Sequence, residues 1–413
     1  MISSDPSRET AEGSAIQRVA PVDAPPVPEV RTEVLVPPAH LARKLPHVPA
    51  LDGLRGLALL LVMLAHTELL FLPGWNLHDH GYGYLGGTAL GVDIFFVLSG
   101  FLITAFFLAK TANDRPGKLR TFYKGRALRL LPALLFLLLV QFIYAVIVHE
   151  SMHAEQQTIL GALLYATNWF WVAGRPLAIG MNHLWTLSIE EQFYLLWPLL
   201  LLAVLGLRRR TSTVSFVIVL GVLAVTINRA VLWFHGATET ALYVRTDTRA
   251  DSLLIGALLA QLWVRGHTPR RGLNPVGWAS AVFMTLCVVF ARPVRYLVYR
   301  PQNGFLYLGG YTLFALATAG LILAVVERQW SGAPLVALRP LRALGRVSYS
   351  VYLWHLPVFF AVARAGAHLP VVVEIALAWG LSLGLGVGAW ALVERPGLLL
   401  KARIDRRAAV ATS

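Results

Sequence analysis

Apolar residues fall along this chain in long runs, with polar residues gathered between them. Windows lie at about 54–72, 90–109, 130–148, 158–173, 184–207, 213–234, 250–264, 275–291, 305–326, 347–365 and 370–393. Crossing a bilayer takes about 20 helical residues. Hydrocarbon offers a spanning backbone no water to bond, so such segments close their hydrogen bonds internally as helices. The pattern predicts an all-α fold, a polytopic membrane helical bundle.

Basic loops decide which windows cross. Lys110, Arg115, Lys118, Arg120, Lys124, Arg126 and Arg129 put the loop after the second window on the cytoplasmic side. The 73–89 loop has no Lys or Arg and faces outward, and Arg208, Arg209 and Arg210 lie inside again. These assignments agree only if 158–173 does not cross. That window is short, and its Asn168, Trp169 and Trp171 suit an interface, so a re-entrant or surface-lying segment is expected there. About ten transmembrane helices remain, with both termini cytoplasmic. Arg292, Arg295 and Arg300 break the charge rule by falling outside, where an anionic group such as a lipid phosphate is their expected partner.

Composition narrows the class. The chain is 56% hydrophobic and 14% charged, with a mean hydropathy of +0.61, which excludes a soluble globular protein of 413 residues. The net charge of +14 sits in short loops, so it writes topology and does not mark a nucleic-acid binder. A single cysteine, Cys287, excludes an internal disulfide and a cysteine metal cluster. Residues 1–48 are polar and rich in proline (Pro21, Pro25, Pro26, Pro28, Pro37, Pro38), which predicts a disordered cytoplasmic tail. No cleavable signal peptide is visible before Leu54. Residues 49–398 form the membrane domain, and 399–413 a basic cytoplasmic tail.

Ionisable groups at membrane depth carry the chemistry, because hydrocarbon makes them costly to keep without use. Arg55 and His66 share the first span, eleven residues apart. That is close to three helical turns, so they share a face with His66 about 16 Å further along. A cation near one surface and a titratable imidazole near mid-depth can hold a charged donor at one end and do proton chemistry at the other. In HLWTLSIEEQFYLLWP, His183, Thr186, Glu190 and Tyr194 lie near one helical face. Counted from the outer boundary, Glu190 comes to about the depth of His66, where a carboxylate would fix the imidazole tautomer. Glu190 and Glu191 point about 100° apart, so at least one is expected to be structural, pinning helices together through hydrogen bonds. Which one acts stays open.

Arg126 and Arg129 are three residues apart before Leu130, Leu131 and Pro132, and can clamp phosphate oxygens together with Arg55. Glu394, in VERP, returns to that side and is placed to orient these arginines. Asp93, Ser99, His183, Arg249, Asp251 and His355 are candidates for the acceptor side. Among them, Ser99-Gly100 also allows close helix approach, Arg249 and Asp251 suit a local ion pair, and His355 suits a satisfied core histidine. No phosphate loop (G-x-x-x-x-G-K-S/T), H-E-x-x-H metal helix or G-x-S-x-G elbow is present, and no metal is expected.

LDGLRGLALLLVMLAH, GVDIFFVLSGFLIT, RALRLLPA, HLWTLSIEEQFYLLWP, GRVSYSVYLWHLPV and VERP occur in order from Leu51 to Pro396. With Arg55 and His66 at the family's separation, the chain resembles the acyltransferase-3 family of bacterial integral-membrane O-acyltransferases. The resemblance implies O-acylation of a carbohydrate in the bacterial cytoplasmic membrane, with acyl-coenzyme A, acetyl-coenzyme A first, as donor. It implies functional roles for Arg55, His66, Arg126 and Arg129. Some relatives carry a fused extracytoplasmic hydrolase-like domain, which this chain is expected to lack.

The expected mechanism sets coenzyme A phosphates on Arg55, Arg126 and Arg129, and His66, tuned by Glu190, deprotonates an acceptor hydroxyl. A covalent acyl-histidine fits the same residues. The expected acceptor is a cell-envelope polysaccharide or glycan, with a glycosylated macrolide as the alternative. A proton-coupled transporter is the rival from another class, but the second half repeats no Arg/His motif. A non-enzymatic scaffold leaves Arg55 and His66 unexplained.

Overall fold

The computed structural model describes residues 47–72, 86–111, 118–208, 211–290, 304–366 and 368–400. Chain contacts divide it into units Met1–Val34 and Leu35–Ser413, and the described residues all belong to the second. Of the expected tails at 1–48 and 399–413, residues 1–46 and 401–413 lie outside the described residues, as do Arg292, Arg295 and Arg300.

The described residues are mostly helical, with short turns between the helices and no strand among them. Helices α1 (Pro49–Phe71), α2 (Gly91–Thr111) and α3 (Lys118–Ile147) take up the first three windows. The 158–173 window breaks into α4 (Met152–Leu163) and α5 (Thr167–Val172). Neither reaches crossing length. Ser151 caps α4, its side chain accepting from the Ala154 N–H at 3.3 Å. Asn168 is fully buried and donates to the Val244 carbonyl at 3.2 Å and to Thr246 at 3.0 Å.

The chain continues through α6 (Leu184–Arg208), α7 (Thr211–Phe234), α8 (Glu239–Val244), α9 (Thr246–Val264) and α10 (Leu273–Phe290). A π-helical turn, Leu306–Gly310, leads into α11 (Tyr311–Val326). After the short helices α12 (Ala333–Val336) and α13 (Arg339–Arg346) come α14 (Ser348–Ala365) and α15 (Val371–Ala389), the last running into a second π-helical turn, Trp390–Glu394.

Among the described residues, eight helices are long and apolar enough to cross a membrane, against the ten expected: α1, α2, α3, α6, α7, α10, α11 and α15. The other two windows fold as α9 and α14. Asp247, Arg249 and Asp251 lower the apolarity of α9, and serine, tyrosine and histidine lower that of α14. Both present buried polar groups to their neighbours. A fringe of exposed Leu, Val, Ile and Phe on α3, α7 and α15 matches a lipid-facing surface.

α2 and α9 cross closely because each sets a glycine against the other's backbone. A side chain at Gly100 would start 2.0 Å from the Leu253 carbonyl oxygen, and one at Gly256 would start 2.1 Å from that of Val97. Membrane helices gain their packing energy from such approaches. Gly256→Val is therefore expected to separate α2 from α9 and to destabilise the protein by about 1–3 kcal/mol, as overpacking does. Thermal unfolding in detergent micelles measures this, and an unchanged midpoint would mean the crossing is not tight.

Candidate active site

At the end of the bundle where α1 begins, two helices, α1 and α3, bring three arginines together. Arg55 on α1 and Arg129 on α3 lie within electrostatic reach of one another. Arg126, one turn before Arg129, is already engaged. Its guanidinium donates to Glu191 Oε1 from Nη2 at 2.8 Å and from Nε at 3.2 Å, and stacks 3.1 Å from the centre of the Tyr194 ring. Glu191 thus binds Arg126, the structural role foreseen for one of the two carboxylates.

Arg55 and Arg129 differ from Arg126. Among the described residues their side chains make no hydrogen bond or ion pair, and Arg129 Nε is buried without a partner. Both residues are half-buried, and an N–H shielded from water without a partner, as at Arg129 Nε, is costly unless an anion completes it. Two carboxylates are near but turned elsewhere. Glu394, held in its π-helical turn, accepts from the Ser350 hydroxyl at 2.7 Å, and Glu190 accepts from the Ser99 hydroxyl at 2.7 Å. Both lie within electrostatic reach of Arg55 and Arg129. The site offers fork-shaped donors suited to phosphate or carboxylate oxygens.

His66 sits eleven residues along α1, about 16 Å towards the other end. Its partner is not the expected Glu190. His66 Nδ1 lies 2.9 Å from the Val62 carbonyl oxygen and 3.3 Å from Nε2 of His355 on α14. The two rings have centroids 5.0 Å apart, and His183, just before α6, stands 5.4 Å from His355.

The reason Glu190 misses His66 is one of depth. The segment before α6 folds into the bundle, burying Met181 and His183, so α6 starts near the level of His66 and not above it. Glu190, seven residues on, then falls about 10 Å nearer the arginines.

Other acceptor-side candidates are placed differently from expectation. Arg249 does not pair locally with Asp251. It donates to Asp93 on α2 at 2.8 Å, while Asp251 accepts from Arg229 of α7 at 2.9 Å. Ser252 adds 2.9 Å to Asp93, and Thr312 adds 2.6 Å to Asp251. All four charged side chains are 0% exposed, so Asp93, Arg249 and Asp251 fasten α2, α7, α9 and α11 together and do not open onto an acceptor. Ser99 serves Glu190, and His183 is held by the Gly180 and Leu353 carbonyl oxygens, each 3.1 Å away. Sequence reasoning missed Arg229. Its signal was visible: a lone arginine inside the apolar run VTINRAVLW.

A helical bundle that gathers unpartnered guanidinium groups at one end of a helix and paired imidazoles further along it is an integral membrane protein built around buried polar chemistry. The chain belongs to the acyltransferase family described as "Acyltransferase domain", whose model matches residues 48–394. It is 32% identical over 330 residues to YrhL of Bacillus subtilis, covering 76% of this chain and 48% of that protein. It is 30% identical over 331 residues to the O-acetyltransferase OatA of Staphylococcus aureus (76% and 51%). It is 31% identical over 325 residues to the peptidoglycan O-acetyltransferase OatA of Listeria monocytogenes (76% and 49%). The chain thus spans about half the length of these relatives. No solved structure matches it.

Proposed function

We propose that this protein is a membrane O-acyltransferase that moves an acetyl or other short acyl group from acyl-coenzyme A to a hydroxyl of a cell-envelope glycan. Membership of the acyltransferase family supports the reaction class, and the names of its relatives support peptidoglycan as the kind of acceptor. The observation that carries the donor side is the pair of unpartnered guanidinium groups, Arg55 and Arg129, at one end of the helix that also bears His66.

Coenzyme A phosphates bind at Arg55 and Arg129, on the cytoplasmic side where acyl-coenzyme A is available. Arg126 is neutralised by Glu191, so its part is to shape this site and to hold α3 against α6. The pantetheine arm runs along α1 towards His66. There His66 Nε2 takes the proton of the acceptor hydroxyl, and the oxygen attacks the thioester carbonyl. The C–S bond then breaks, and the departing thiolate recovers the proton from His66 Nε2. Atoms and charge balance without a metal or redox group.

The test is donor binding and transfer by purified protein in lipid nanodiscs, with radiolabelled acetyl-coenzyme A. Wild type is expected to bind the donor and to acetylate muropeptide-type glycan fragments. Arg129→Gln is expected to weaken donor binding by roughly ten- to a hundredfold, the effect of losing a charged hydrogen-bond partner worth about 1.5–3 kcal/mol. If Arg129→Gln binds coenzyme A as tightly as wild type, the donor site lies elsewhere.

A further inference from the structure

Three ring nitrogens near the middle of the bundle face only carbonyl oxygens or one another, and that fixes where their protons sit. His355 Nδ1 lies 2.6 Å from the Tyr352 carbonyl oxygen. A carbonyl accepts and cannot donate, so Nδ1 of His355 carries the proton and its Nε2 presents a lone pair. That Nε2 is 3.3 Å from Nδ1 of His66. Nδ1 of His66 also faces the Val62 carbonyl oxygen at 2.9 Å, so it too carries a proton and shares it between two acceptors. The remaining nitrogen of His66, Nε2, is then the lone pair of a neutral ring. Among the described residues it has no hydrogen-bond partner.

We infer that His355 is a positioning residue for His66: its Nε2 accepts from His66 Nδ1–H, turning the ring so that His66 Nε2 faces the substrate as the proton acceptor. The inference rests on the acyltransferase function proposed above for its chemistry, but its geometry stands apart from it.

The neighbours of His355 are arranged to hold it still. It is fully buried on α14 and packs edge-on against Phe359 at 6.0 Å between centroids. Tyr352 lies 5.2 Å away on the same helix, and its hydroxyl is pinned by Thr186 at 2.7 Å and by the His183 carbonyl oxygen at 3.1 Å. From α15, the Ser382 hydroxyl reaches the His355 carbonyl oxygen at 3.5 Å, and Trp379 donates to Thr67, next to His66, at 2.9 Å. His183 completes the surroundings, with each of its nitrogens 3.1 Å from a carbonyl oxygen, of which a neutral ring donates to one. Among the described residues, no carboxylate hydrogen-bonds to any of the three rings. The task given in many enzymes to an aspartate or glutamate, orienting a histidine through its second nitrogen, falls here to another imidazole. A neutral acceptor avoids placing an unpaired negative charge at this depth.

Two measurements test this. The first is kinetic, comparing His355→Gln with His355→Leu in nanodiscs. Glutamine keeps an acceptor oxygen, and leucine fills the space without one. His355→Leu is expected to lose about 10–100-fold in kcat, the usual cost of removing an orienting partner, with KM for acetyl-coenzyme A unchanged, while His355→Gln stays within about threefold of wild type. Equal impairment of both variants would mean that packing alone is at stake and would overturn the inference.

The second measurement is nitrogen-15 magnetic resonance of histidine-labelled wild type in lipid, with His66→Ala to assign the signals. The expected signature is a proton on His66 Nδ1 with a correlation to His355 Nε2. A His66 ring protonated on Nε2 instead would overturn the inference even if a variant failed to fold. If wild type shows the Nδ1–H signature but neither binds coenzyme A nor transfers an acyl group, the positioning stands and the proposed function falls.

Discussion

His66→Ala is expected to lose acyl transfer by about 10²–10⁴-fold while still binding coenzyme A, because general-base help is worth about that much. The two effects separate because the parts of α1 are separated. Arg55 sits eleven residues before His66, about 16 Å along the helix axis. Truncating the imidazole removes the proton acceptor without disturbing the guanidinium groups that hold the donor. Alanine is a strong helix former, so α1 itself should persist. The measurement is single-turnover release of label from acetyl-coenzyme A, alongside equilibrium binding of coenzyme A. Transfer at the wild-type rate would remove His66 from the chemistry, and loss of binding together with transfer would make it part of the donor site.

The second large effect is expected in stability. Arg229 and Asp251 are 0% exposed and joined at 2.9 Å, with Thr312 bonded to both, at 2.8 Å to Arg229 and at 2.6 Å to Asp251. Arg229 also donates to the Tyr307 and Thr248 carbonyl oxygens, so one guanidinium ties α7 to α9 and to the turn before α11. Arg229→Leu would leave Asp251 buried without its cation, which costs about 3–5 kcal/mol when a buried pair is broken. The Arg229→Leu/Asp251→Leu double variant should recover part of that loss, since no uncompensated charge remains. Thermal unfolding of the three proteins in detergent checks both statements. A double variant less stable than the single one would show that Asp251 keeps favourable partners, Thr312 among them, once Arg229 is gone.

Several features were legible in the chain before any fold was known. The apolar windows mark where helices form, since hydrophobic length and hydrogen-bond closure are local properties of each segment. The grouping of Arg55 with Arg129 was also legible, because both lie at the start of their apolar runs. Ser99-Gly100 announced a close helix approach, and Gly100 makes one with α9. Two expectations failed for a common reason. Glu190 was matched to His66 by counting from a boundary assumed at the start of α6, and Arg249 to Asp251 by nearness in sequence. Each needed a vertical register or a partner that belongs to another helix.

What the sequence by itself determined, then, is the class of fold and the helices that carry the chemistry: burial in hydrocarbon is decided segment by segment, and a helix face follows from spacing. Only the tertiary structure decided the pairings. Asp93 takes Arg249 and Asp251 takes Arg229, Glu191 takes Arg126, and His66 takes His355. Residue spacing along one helix fixes depth only relative to that helix. The offset between helices comes from how their glycines and small residues let the backbones slide and meet, and that offset chooses which polar group stands opposite which.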